Sequence, residues 1–169
     1  MVSNRNHFFR IFFWIVAQVV ILNNIFLFDL ATPYLYILPI LLLPLNINRQ
    51  LLLLVAFITG FIIDLFEGTG GIFAAATLII AYLRPLFLRI SFGLAYEQMT
   101  IRFHQESFLQ KLAYASLMVF THHMFLYSLD AFSLNDIIMI LEKTIYSTIL
   151  NIILLMTIFN FLAKNKKVT

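Results

Sequence analysis

The residues that could do chemistry are the polar ones set inside apolar sequence: Asp64, Arg84, the adjacent His122 and His123, and the pair Asn23 and Asn24. Within a membrane a carboxylate and imidazoles could relay protons or hold a metal, and an aspartate with an arginine could form a buried ion pair. Asp64 follows Gly60 by one helical turn, so the two share a face on which glycine admits a close neighbour. Asp64 is expected to be either a functional embedded acid or a local acceptor for the free amides that begin the next helix, with Gly70 and Gly71 forming the turn between. Arg84 lies about 20 Å along that next helix, too deep for a bridge to Asp64. Its expected role is to snorkel towards head groups or to cap carbonyls freed near Pro85, the alternative being to bind a partner. His122 and His123 point about 100° apart on a helix, which disfavours one metal held by both. One of them is expected to face the bundle and bond to Asn23, Asn24 or a hydroxyl.

Other chemistries lack their residues. A proton relay would need titratable groups across the whole membrane, and the half beyond the histidines offers only Arg84, a poor proton carrier. There is no Gly-x-Ser-x-Gly elbow, no His-Glu-x-x-His, no phosphate-binding loop and no cysteine. An enzyme is therefore not expected, nor a cofactor or metal.

The elements that must position these residues are set by composition. Of 169 residues, 62% are hydrophobic and 11% charged, and the apolar ones fall in long blocks between short polar breaks. A soluble domain needs roughly a quarter of its residues charged, so the chain reads as an all-α integral membrane protein forming one polytopic domain over residues 1–169. The blocks predict a six-transmembrane-helix bundle with spans near residues 8–28, 31–45, 51–66, 72–90, 112–129 and 137–162. The first is too long for a signal peptide and lacks a small-x-small site, so it is expected to be retained. The second carries Pro33, Pro39 and Pro44 and should be kinked or partly unwound. Phe103, Phe108 and Leu109 suggest that the connection 91–111 lies on the membrane surface. Ser133-Leu134-Asn135-Asp136 resembles a capping box that would start the last helix early, near Leu134. A net charge of +3, spread in small groups, excludes a nucleic-acid stripe.

Basic residues mark the cytoplasmic face. Of the 11 lysines and arginines, nine (Arg5, Arg10, Arg49, Arg89, Arg102, Lys111, Lys164, Lys166 and Lys167) fall on one side of the six spans, Lys143 alone falls on the other, and Arg84 lies within a span. Both termini are thus expected to be cytoplasmic. The outer face is acidic, with Asp29, Glu67, Asp130, Asp136 and Glu142, and its short loops leave no room for a domain.

Gly60-x-x-x-Asp64 at the end of the third span, the glycine turn with Gly71, Ala74 and Ala75 after it, and Arg84-Pro85 further on resemble the rod shape-determining protein MreD family. The likeness in layout covers nearly the whole chain, and its specific part lies between Leu51 and Pro85, where Phe73 is bulkier than the family pattern. The resemblance implies a non-enzymatic component of the bacterial inner membrane, multi-pass, in the elongation machinery that maintains cell shape. Its implied partners are a bitopic MreC-like protein and, through it, the MreB filament and the glycosyltransferase and transpeptidase of peptidoglycan synthesis. A partner's transmembrane helix would dock on helix faces rich in small or aromatic residues, the acidic rim would orient its outer part, and the basic inner loop would meet the lipid bilayer. The competing expectation is a small-molecule-binding membrane subunit of an energy-coupling-factor type transporter, with an outer cavity lined by Asn23, Asn24, Asp64 and one histidine.

Overall fold

The computed structural model describes residues 4–22, 31–98, 101, 103, 106–131 and 136–165. Among them the elements are helices: α1 (Asn4–Val20), a 3-10 turn (Leu35–Ile37) running into α2 (Leu38–Leu41), α3 (Arg49–Glu67), α4 (Ile72–Phe92), α5 (Leu94–Glu97), α6 (Phe108–Ala131) and α7 (Ile137–Asn165). Three helices are long and apolar enough to cross a membrane: Arg49–Glu67, Ile72–Phe92 and the Ile137–Phe161 part of α7. Only 28% of the apolar window of α7 is buried, so most of that surface is left for lipid or another apolar partner. At 24 residues α6 is long enough, but it carries Lys111 and both histidines. It is packed between α4 and α7, where its polar residues are shielded.

Local sequence explains the ends. Asn48 caps α3 by accepting the Gln50 amide at 2.8 Å. Gly68 closes α3 in the left-handed region (φ 70°), returning its amide to the Asp64 carbonyl. The turn into α4 then uses Gly70 and Gly71 at φ 68° and 110°, conformations that side chains disfavour. The resulting α3–α4 hairpin is closed at its other end by Arg49 stacked 4.7 Å above the Tyr82 ring.

The second hydrophobic segment is the centre of the molecule. It is helical only from Leu35 to Leu41, as its three prolines lead one to expect, and each of those seven residues is buried. It runs lengthwise along α4. Tyr34 packs on Phe73 near the glycine turn, and the Leu43 carbonyl reaches Arg84, 11 residues or about 16 Å further along α4. Helices α1, α4, α6 and α7 surround it. Phe103 likewise departs from its expected place on the membrane surface. It packs edge-on against Phe159 at 4.9 Å and against Tyr114, joining the interior, where aromatic rings find partners. Asn23, Asn24 and the Ser133–Asn135 part of the expected capping box lie outside the described residues, and α7 is described from Ile137.

Candidate functional site

The embedded polar residues form three separate clusters around the broken segment. At the glycine-turn end, Gly71 offers no side chain to cap α4, and Asp64 supplies the cap from α3. The Phe73 amide donates to its Oδ1 at 3.0 Å, the Ala74 amide donates to Oδ2 at 2.8 Å, and the Thr69 hydroxyl also donates to Oδ1. Of the two expectations for Asp64, this geometry realises the local acceptor: a negative group set on the positive end of a helix. Gly60, one turn earlier, lets α4 come close enough for those bonds to form. Asp64→Ala strips three donors of a charged acceptor in a buried place, and about 2–4 kcal/mol of stability is expected to go with it. Asp64→Asn should recover part of that loss, as read by thermal unfolding in detergent.

In the middle, both histidines are fully buried, where sequence reasoning expected one to face the bundle. The cause is that α6 is covered on two sides, so residues 100° apart both meet protein. His122 Nε2 shares a 2.6 Å hydrogen bond with the Tyr36 hydroxyl. His123 faces α7, with Thr148 Oγ1 and Asn151 Nδ2 each 3.4 Å from its ring nitrogens. The non-helical backbone ahead of the 3-10 turn is paired by side chains that sequence reasoning did not single out. Gln18 donates to the Pro33 carbonyl at 2.9 Å and accepts the Leu35 amide at 2.8 Å. Asn151 accepts the Tyr34 amide at 2.7 Å and donates to the Thr32 carbonyl at 3.0 Å. The signal was present, since each is a lone amide side chain in the middle of an apolar run.

At the opposite end Arg84 is 2% exposed and therefore does not snorkel. Its guanidinium donates to the carbonyls of Leu41, Leu43 and Pro44 and, through Nε, to the Tyr114 hydroxyl at 3.1 Å. Tyr114 in turn donates to the Leu41 carbonyl at 3.2 Å. The carbonyls it caps thus belong to the end of the broken segment, and not to the turn before Pro85. That proline sits inside α4, which runs on to Phe92. The groups freed where a helix stops in mid-protein need partners more than those beside a proline do. Beside Arg84 lies a cavity of about 240 Å3 walled by Leu43, Pro44, Leu88 and Phe103.

A second cavity, of about 160 Å3, opens at the glycine-turn end among Tyr34, Phe73, Tyr127, Thr69, Glu67 and Asp130. Among the described residues, no group of three or more histidine, aspartate, glutamate or cysteine side chains could hold a metal. Asp64 and Arg84 are not brought together; each is occupied by backbone groups at its own end of α4. No protein-family profile, curated protein or solved structure matches this chain. What the arrangement can do chemically follows from the clusters themselves. They fix a broken helix inside a bundle, and they leave one small polar cavity open at the glycine-turn end.

Proposed function

We propose that this chain is a non-enzymatic membrane scaffold of the MreD type, a multi-pass component of the bacterial inner membrane. It binds an MreC-like bitopic protein and so helps couple MreB to the enzymes of peptidoglycan synthesis and maintain cell shape. In this reading α1, the broken segment, α3, α4, α6 and α7 are six crossings, the glycine turn faces outward, and both termini lie on the basic, cytoplasmic side.

The observation that supports it is how the embedded polar residues are used. Asp64, Arg84 and Gln18 each pair with backbone, and the histidines pair with Tyr36, Thr148 and Asn151, leaving His122 Nδ1 as the one unpaired nitrogen among them, so these groups do not converge on one substrate position. The outward faces of α3 and α7 meanwhile present large bare side chains such as Phe57, Phe61, Leu65, Ile145, Ile149 and Ile153, a surface suited to a partner's transmembrane helix. The broken central helix favours the second reading, a small-molecule-binding subunit of an energy-coupling-factor type transporter, because transporters often place binding sites at discontinuous helices.

One experiment separates the two. Purification in mild detergent with unbiased identification of co-purifying species is expected to recover a bitopic coiled-coil protein, and depletion should round rod-shaped cells. A preparation that carries instead a vitamin-sized ligand and paired ATPases would reject the scaffold.

A further inference from the structure

The cavity at the glycine-turn end has a composition that the scaffold reading does not use. It is lined by Tyr34, Phe73 and Tyr127, by Ile72, Leu126 and Thr69, and by two carboxylate residues, Glu67 and Asp130. Tyr34 and Phe73 meet edge to face, centroids 5.5 Å apart, so the walls are held by packing and the cavity is preformed. Tyr127 is fixed from behind by a 2.6 Å hydrogen bond to Ser147. The backbone adds to the field. Helix α3 ends at Glu67, on the lining of this cavity, so its negative end lies beside it. The opposing positive end of α4 is already covered by the Asp64 carboxylate. Aromatic faces, acceptor oxygens and a net negative field together select a positive group with an apolar stem. The volume, about 160 Å3, is close to that of the roughly 150 Å3 cavity that accepts a benzene-sized guest, which limits the guest to a head group and a few carbons.

We propose that this cavity binds an organic cation, an ammonium or guanidinium group on a short alkyl stem, held over the Tyr34, Phe73 and Tyr127 rings with Glu67 and Asp130 as counter-charges. The site stands on the cavity alone and holds under either functional reading. The cation is either a free small amine or a basic side chain of another polypeptide.

The test uses the purified full chain in detergent, with n-propylammonium chloride as the probe and 1-propanol as its neutral counterpart, ionic strength being matched with sodium chloride. Propylammonium is expected to raise the thermal midpoint saturably, while propanol leaves it in place. Measured against its own probe-free midpoint, Glu67→Gln with Asp130→Asn should need roughly tenfold more propylammonium for the same shift. Asp130→Asn alone should fall between. The absence of a shift, a shift that propanol reproduces, or one that the double variant keeps in full would overturn the proposal. Carbodiimide treatment of intact membranes then identifies the source. An adduct of Glu67 or Asp130 with a lysine assigns the cation to a polypeptide, whereas a small-amine amide on either carboxylate assigns it to a free amine.

Discussion

Replacing Gly60 with alanine is expected to cost about 1–3 kcal/mol of stability, and replacing it with valine more, because the new methyl meets the Thr77 hydroxyl and, behind it, backbone that cannot rotate away. A Cβ at this position would stand 2.5 Å from the Phe73 carbonyl oxygen and 2.6 Å from the Ala74 Cα, so α3 and α4 would have to separate. Those two residues also carry the amides that Asp64 accepts. Separation therefore lengthens the cap in the same movement, and the two sites are coupled. In a double-mutant cycle, Gly60→Ala combined with Asp64→Asn should destabilise by less than the sum of the single changes, by on the order of 1 kcal/mol. Strict additivity in denaturant or thermal unfolding would show that the close approach and the cap are independent.

Arg84→Met is expected to be the most damaging single change at the opposite end, at about 3–5 kcal/mol. The methionine fits the apolar surroundings and removes a charge from them, which offsets part of the loss. It leaves the Leu43 carbonyl without its donor and takes one donor from the Leu41 and Pro44 carbonyls, which keep the Tyr114 hydroxyl and the Ile47 amide. Arg84→Lys keeps the charge but has no planar fork to serve several carbonyls and Tyr114 at once, so it should recover only part of the stability. Amide exchange supplies the local readout. Residues 42–47 should exchange faster in both variants, with the region around Asp64 unchanged; protection throughout would mean that Arg84 does not hold the segment.

Much of this was legible in the sequence. Helices α3, α4 and α7 were recognisable from unbroken apolar runs, and the Gly60–Asp64 spacing together with the glycine turn indicated an acceptor for the start of α4. The break in the second segment was readable from Pro33, Pro39 and Pro44. What could not be read was which element lies at the centre. A segment buried on every side has no apolar face and hence no periodicity, so Leu35–Leu41 resembled a poor span. Arg84 was misplaced for a related reason. Snorkelling assumes a helix facing lipid, whereas Arg84 faces a neighbour whose carbonyls are bare. Gln18 and Asn151 stood in plain view as isolated amides, but their partners are backbone groups of an irregular segment, and an irregular backbone leaves no spacing to match.

The pairing of Thr32 and Tyr34 with Ser147 and Asn151, 115 to 119 residues later in the chain, governs the order in which the protein can be made. While the N-terminal half emerges from the ribosome, Gln18 is already present for the Pro33 carbonyl and the Leu35 amide, but the partners of Thr32 and Tyr34 have not been synthesised, and lipid offers no substitutes. The broken segment is therefore expected to complete its hydrogen bonds only once α7 is in place. Completion of the fold is thus tied to the last helix, and a chain cut short before Asn151 is expected to leave the Tyr34 amide and the Thr32 carbonyl without their partner.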